Sequence, residues 1–203
     1  VRSDMLHTLG QIHHNLGRFD DALAMVQAAY ETRRQLHGDE DPGVLTIRLH
    51  QGLLHLNRGE IEQSVATLRD VLAQYRCTVL PDAPQLVTAM THLAAALRYQ
   101  GSERNPGPFR EAEALLREAI AIEQGRSTPD SLRLADTLKR LAYLARDQGR
   151  PAEAEALHRE SLALLQGRLG DRHPRVANTL INIGAALADQ GRYAQSIAFF
   201  RRG

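Results

Sequence analysis

The stretch QGRYAQSI at 190–197 matches QGRPAEAE at 148–155, and both place a small residue five positions after a glycine. RGEIEQSV at 58–65 and LGRFDDAL at 16–23 repeat this pattern. Its four glycines are Gly17, Gly59, Gly149 and Gly191. The first two lie 42 residues apart, and so do the last two. Repetition at a fixed period of about 20 to 50 residues is typical of solenoids and other repeat proteins.

The third repeat carries an insertion. Gly101 lies 42 residues after Gly59, whereas Gly107 lies 42 residues before Gly149, so the two counts differ by six residues. Five units therefore tile residues 1–203 as a single array, and the fifth unit is cut short. Their approximate bounds are 1–42, 43–84, 85–130, 131–174 and 175–203.

Prolines mark the junctions between units. Three of them stand seventeen residues before a pattern glycine: Pro42, Pro84 and Pro174. Pro129 marks the remaining junction three residues out of step. Proline is tolerated in the first turn of a helix and stops the preceding helix from continuing. We therefore predict that each unit is a helix, a glycine turn, a second helix and a proline-marked loop.

Two sets of small residues predict that the two helices of a unit pack closely. The first set lies five residues after the glycine: Ala22, Ser64, Ala112, Ala154 and Ser196. The second set lies seven residues before it: Gly10, Gly52, Ala94, Ala142 and Gly184. A bulky side chain at either position would force the helices apart.

The composition excludes several classes of protein. With 25 basic and 24 acidic residues the net charge is +1, which gives little electrostatic attraction for nucleic acid. The sequence has no run of about 20 apolar residues that would span a membrane. The single cysteine, Cys77, cannot form an internal disulfide, which fits a reducing compartment, and we expect a cytoplasmic protein.

Catalytic and metal-binding motifs are missing from the sequence. The chain has nine histidines but no HExxH motif and no Cys–His cluster at the spacing of a metal site. It also has no phosphate-binding glycine loop of the GxGxxG or P-loop type. We therefore predict no enzyme, no catalytic or metal-binding residue and no cofactor.

The glycine turn, the small residues and the proline junction together resemble the tetratricopeptide repeat (TPR). The 42-residue period is most similar to the long repeats of kinesin light chains and their bacterial relatives. The resemblance covers nearly the whole chain. It implies an all-α fold, an α-solenoid of five antiparallel helix pairs in a right-handed superhelix, with the last pair truncated.

The resemblance also implies a protein- or peptide-binding module that captures a partner segment in a concave groove lined by the first helices. One alternative is a regulatory or scaffolding segment of a larger signalling protein, such as a kinase or a transcription regulator. Nucleic-acid binding by the helical array is a further alternative, which the charge balance disfavours. Because Phe199 and Phe200 stand near the end of the sequence, we also expect end-to-end self-association.

Counting back from each glycine to the positions that the family uses predicts the residues that face the groove. In repeats three to five they are Thr91, His92, Arg98, Tyr99, Lys139, Arg140, Tyr143, Arg146, Asn178 and Asn182. In repeat one they are His7, Gln11, His14 and Asn15. The basic side chains in repeats three and four predict that the partner segment carries acidic groups and an apolar anchor.

Repeat two departs from the pattern. The count puts polar residues where helix packing requires apolar groups: Arg48, Gln51 and His55. It puts leucines on the groove face: Leu49, Leu53 and Leu56. Either this helix is rotated and the leucines are core, or they form a groove floor that would seat an apolar anchor of the partner. Because the helix is apolar nearly all round, rotation is the favoured interpretation.

Overall fold

The computed structural model describes residues 1–39, 41–78 and 83–203, and every regular element in those ranges is a helix. The helices are α1 (Arg2–Asn15), α2 (Phe19–His37), α3 (Pro42–Asn57), α4 (Ile61–Thr78), α5 (Pro84–Gln100), α6 (Gly107–Gly125), α7 (Ser131–Asp147), α8 (Pro151–Leu169), α9 (Pro174–Asp189) and α10 (Tyr193–Phe200). The predicted all-α fold is confirmed.

The junction prolines begin helices. They are the first residues of α3, α5 and α9: Pro42, Pro84 and Pro174. Asp41 caps α3, because its carboxylate accepts hydrogen bonds from the backbone N–H groups of Gly43 (2.9 Å) and Val44 (3.1 Å). Asp130 caps α7 in the same way. The side chains before α3 and α7 therefore satisfy N–H groups that these two helices leave unpaired.

The turn inside a helix pair requires glycine. At Gly59 the backbone φ is 79°, a left-handed conformation that other residues rarely adopt. The Glu60 N–H then donates to the His55 carbonyl (2.9 Å) and closes the end of α3. The chain can therefore reverse direction within a few residues and begin α4.

The small residues lie where paired helices touch. A side chain added at Gly52 would place its Cβ 2.6 Å from the Leu68 side chain of α4. Ser64 is fully buried and its hydroxyl donates to the Gly52 carbonyl (2.7 Å). Ser196 does the same to Gly184 (2.8 Å), so serine at this position adds an interhelical hydrogen bond that alanine cannot make.

The chain divides into two compact units, residues 1–100 and 101–203. Unit 1 contains α1 to α5 and unit 2 contains α6 to α10. A core cluster of unit 1 joins α2 and α3 through Val26, Ile47 and Leu54, and one of unit 2 joins α8 and α9 through Leu165 and Ile183. These two units do not correspond to the five repeats predicted from the sequence. The single array over residues 1–203 and the bounds of its five repeats therefore stay a prediction. Within the described ranges, no helix is long and apolar enough to cross a membrane.

Candidate functional site

In unit 1, α1 and α3 line a cavity of about 360 Å³. Its lining residues are His7, Gln11, His14, Asn15, Thr46, Leu49, His50 and Leu53. On each helix these residues recur at spacings of three, four and seven, which places them on one face. The four from α1 are the residues that the sequence predicts for the groove face of repeat one.

The two leucines decide the orientation of α3. Leu49 and Leu53 are half-buried and line the cavity. The rotation favoured from the sequence, which would bury both leucines in the core, is therefore wrong, and they line the cavity instead. Leu56 is half-buried and is not among the lining residues.

The polar residues of α3 are tolerated at packing positions because each has a partner on a neighbouring element. The Gln51 amide donates to the Gln27 side chain of α2 (2.5 Å). Arg48 forms an ion pair with Asp70 of α4 (2.5 Å). His55 Nδ1 lies 2.6 Å from the Glu60 carboxylate. These contacts satisfy the polar groups, so α3 can keep Leu49 and Leu53 on the side that lines the cavity.

Three histidines of the cavity interact with one another. His14 Nδ1 lies 2.9 Å from His50 Nε2, and the Asn57 amide nitrogen lies 2.7 Å from His14 Nε2. The ring of His7 lies 5.3 Å from that of His50, measured between centroids. The Nδ1 atom of His50 and the Nε2 atom of His7 are buried without a hydrogen-bond partner.

Burial keeps these histidines uncharged near neutral pH. It lowers the pKa of His50 to about 4, with smaller contributions from the charges of His7 and His14. Burial also lowers the pKa of His14, and it lowers that of His7 more than the opposing charge of Asp4 raises it. The cavity therefore combines two leucines with neutral hydrogen-bonding side chains.

The groove residues predicted in repeat three all lie on α5 and are not among the lining residues of this cavity. Thr91 is buried, and its hydroxyl donates to the Thr88 carbonyl of its own helix (2.8 Å). His92 and Arg98 are half-buried. The Arg98 guanidinium lies 5.4 Å from the ring centroid of Tyr99, which is exposed.

In unit 2, three predicted residues come together between α7 and α9. The Asn182 amide donates to the Tyr143 hydroxyl (2.9 Å) and to the Asn178 side-chain oxygen (3.2 Å). Below them, His158 of α8 is 1% exposed and packs edge-on against the Tyr143 ring. Burial lowers the pKa of His158 to about 4, with smaller contributions from the positive charges of Lys139 and Arg146.

Two predicted bases of unit 2 have carboxylate partners. Lys139 Nζ lies 3.1 Å from Asp136, one turn earlier on α7. Arg146 forms an ion pair with Asp189 at the end of α9. Arg140, the remaining predicted basic residue on α7, is half-buried. An acidic partner would have to compete with Asp136 and Asp189 for the first two bases.

The sequence did not predict the contacts among the three histidines. His7 and His14 were expected on the groove face, and His50 falls at the repeat position that Asn182 holds in repeat five, nine residues before the turn glycine. The position that His50 shares with Asn182 was the one sequence feature that could have indicated a role for His50 in this cavity. Among the residues that the structure describes, no group of three or more His, Cys, Asp or Glu side chains is arranged to hold a metal ion.

Comparisons with solved structures show the same fold at low sequence identity. A Podosopora anserina protein described as a kinesin light chain with nearly identical TPR-like repeats is 20% identical, with a TM-score of 0.79 over 99% of this chain and 92% of that chain. BtubC (BKLC) from P. vanneervenii is 21% identical, with a TM-score of 0.78 over 98% of this chain and 77% of that chain. A Rap protein complexed with competence and sporulation factor is 12% identical, with a TM-score of 0.82 over 100% of this chain and 53% of that chain.

Sequence comparison identifies the family. No curated protein sequence matches the chain. The family model described as tetratricopeptide repeat matches residues 2–77, 103–167 and 133–203. Since these matches cover most of the chain, it belongs to the tetratricopeptide repeat family.

Proposed function

We propose that this protein captures a segment of a partner protein in its concave groove, and that the α1–α3 cavity seats an apolar side chain of that segment. Tetratricopeptide repeats form protein-interaction modules and are generally non-enzymatic. The observation that carries the proposal is the cavity itself, which has Leu49 and Leu53 beside the amides of Gln11 and Asn15. A further neighbour in fold, the Rap protein, was solved in complex with a bound factor.

The two kinds of lining residue have different tasks in this proposal. The leucines bury an apolar anchor, and complete burial of one such side chain contributes about 1.5 to 3 kcal/mol. Gln11 and Asn15 are exposed and can donate to and accept from the backbone of an extended segment. The predicted basic side chains of α5 in unit 1 and of α7 in unit 2 would each pair with acidic groups of a bound segment. A cytoplasmic location is part of the proposal.

A peptide-display screen tests the cavity. Peptides selected on the wild-type chain are measured by fluorescence anisotropy against Leu53→Asp and against the control Leu36→Asp, whose site on α2 is 71% exposed. Loss of apolar contact should weaken binding to Leu53→Asp by about 10- to 100-fold and leave the control unchanged. Equal binding to both variants would show that the cavity does not hold the anchor.

A separate double variant tests whether the partner segment is acidic. Arg98→Glu combined with Arg146→Glu reverses two predicted groove charges. If the partner segment is acidic, the double variant should bind the selected peptides more weakly, and the difference should shrink in high salt. Undiminished binding would remove these bases from the site.

Self-association is a second part of the proposal. Met5 on α1 and Leu16, the residue that follows it, are 62% and 67% exposed, and Tyr193 and Ile197 on α10 are 66% and 50% exposed. We infer that the α10 face of one copy packs on the α1 face of another. Sedimentation velocity should then show mass increasing with concentration, and Ile197→Lys should abolish the increase; a monomer at all concentrations would refute it.

A further inference from the structure

We propose that His7, His14 and His50 form a pH-sensitive latch between α1 and α3, which is closed at neutral pH and opened by protonation. Opening would release the segment bound in the α1–α3 cavity, and this consequence rests on the proposed function. The latch itself can be measured without a ligand. Its basis is a chain of hydrogen bonds in which each acceptor is an unprotonated ring nitrogen.

Two hydrogen bonds join His14 to α3. The Asn57 amide nitrogen donates to His14 Nε2 (2.7 Å), so the proton of neutral His14 lies on Nδ1. His14 Nδ1 then donates to His50 Nε2 (2.9 Å), and the proton of neutral His50 lies on Nδ1. A proton added to either acceptor nitrogen would face the donor that now bonds it. The present pair of hydrogen bonds between α1 and α3 therefore requires uncharged rings.

The closed cluster has no room for an imidazolium charge. His50 is only 8% exposed, and its Nδ1 atom and the Nε2 atom of His7 are buried without a hydrogen-bond partner. None of the described residues that line the cavity is a carboxylate that could pair with a charged ring. A charge there would be buried and uncompensated, which is costly. We therefore expect protonation to occur together with opening of the cluster.

Burial gives the latch its direction with pH. It lowers the pKa of His50 to about 4, with smaller contributions from the charges of His7 and His14. Burial also lowers the pKa values of His7 and His14. In the open form an exposed His50 would have its ordinary pKa of 6.5 and would protonate first. The contribution of His50 to the closed form is complete above pH 6.5 and is lost as the pH falls toward 4.

Other titratable groups on the surrounding helices leave this sign unchanged. The charges that act on His50 are those of His7 and His14, whereas Asp4 and Arg33 act on His7 with opposite signs. The remaining groups are ion-paired, hydrogen-bonded or carried by the adjoining helix: Arg33 with Asp41, His13 with Asp21, Arg48 with Asp70, His55 with Glu60, Tyr75 of α4 with Thr46, and His92, Arg98 and Tyr99 on α5.

A bound apolar side chain would add to the preference for uncharged rings. The three histidines line the same cavity as Leu49 and Leu53, so an anchor placed there takes water away from the ring faces. Loss of water disfavours a charged imidazole. The segment therefore binds the neutral, closed cluster, and its affinity should fall as the pH falls.

Amide hydrogen exchange of the full chain tests the latch without a ligand. From pH 7 to pH 5, after correction for the intrinsic pH dependence of exchange, protection of the α1 amides should fall about tenfold more in the wild-type chain than in His50→Gln. Glutamine can still accept the His14 hydrogen bond but cannot be charged. The control His37→Gln removes an exposed histidine and should behave as the wild-type chain does.

A peptide that does not titrate tests the release. It is a peptide selected on the wild-type chain at pH 7, made with acetyl and amide ends, without histidine, and with Asn and Gln in place of Asp and Glu. Its affinity should be about tenfold lower at pH 5 than at pH 7, and His50→Gln should lose most of this difference. Asn57→Asp, at an exposed position, places a carboxylate beside His14 and should also reduce the difference.

Two outcomes would overturn the latch. One is an equal fall in α1 protection in the wild-type chain and in His50→Gln, with both chains shown to be folded by circular dichroism. The other is a loss of peptide affinity at pH 5 that His50→Gln retains in full. If Leu53→Asp binds the selected peptides as well as the wild-type chain does, the peptide-binding cavity is refuted, while hydrogen exchange still decides the latch.

Discussion

Equivalent helix pairs, α1–α3 in unit 1 and α7–α9 in unit 2, bring the same repeat positions into contact with different chemistry. In each pair, the residue three positions before the first turn glycine contacts the residue two positions before the second turn glycine. In unit 1 these are His14 and Asn57, which form a neutral hydrogen bond (2.7 Å). In unit 2 they are Arg146 and Asp189, which form an ion pair.

A second contact separates the two pairs further. In unit 2, Asn182 reaches back and donates to Tyr143 (2.9 Å). The equivalent residue of unit 1 is His50, which bonds His14 instead and keeps one ring nitrogen unpaired beside the cavity. The first contact therefore joins the same repeat positions in both units, whereas in the second the residue types decide which neighbour is bonded and whether the groups are charged or neutral.

Substitution of Gly52 or Gly184, which lie where paired helices touch in the two units, should have the largest effects and should differ between the units. Gly52→Leu should destabilise the protein by about 3 kcal/mol, because its Cβ would lie 2.6 Å from Leu68, which is fully buried and has no room to move. Gly184→Leu should cost about 1 kcal/mol, since the nearby Phe200 is 45% exposed and can turn away. Urea denaturation of both variants measures the difference; equal losses would contradict it.

The pH dependence of stability should depend on the buried His158 of unit 2, which is 1% exposed. The folded-state pKa of His158 is about 4, below its ordinary value of 6.5, so the unfolded chain protonates first as the pH falls. The contribution to stability is complete above 6.5 and is lost as the pH falls toward 4. Between pH 7 and pH 5 the loss is about 2 kcal/mol for this one group.

His158→Leu should remove that part of the pH dependence, since leucine occupies the equivalent position, Leu68 and Leu116, in repeats two and three. Unfolding in urea at pH 7 and pH 5 should show a smaller difference for the variant than for the wild-type chain. If the variant keeps the full wild-type dependence, His158 does not protonate on unfolding.

The helix pairs were predictable because their signals are local or steric. A proline at the first turn, a left-handed glycine and a small residue at a close approach each act within a few residues or one helix crossing. The orientation of α3 was not predictable from periodicity, since Gln51 and Arg48 are tolerated at packing positions only through partners on α2 and α4. The histidine contacts depend on side-chain rotamers and on the neighbour Asn57, which no count along the chain supplies.

Exchanging the charge between the two units is the smallest change and the sharpest test of what the faces bind. Asp189→Asn places in unit 2 the residue type that Asn57 supplies in unit 1 and leaves the Arg146 guanidinium without this carboxylate partner. Because Arg146 and Asp189 side chains are 44% and 37% exposed, thermal stability should change by less than about 1 kcal/mol. The freed guanidinium should nevertheless bind acidic peptides more tightly, measured by anisotropy at low salt. Asn57→Asp makes the opposite exchange in unit 1 and should weaken the binding of acidic peptides through like-charge repulsion. If acidic peptides respond to neither substitution, the groove faces do not recognise carboxylates at these positions, and the ion pair of unit 2 stabilises the fold alone.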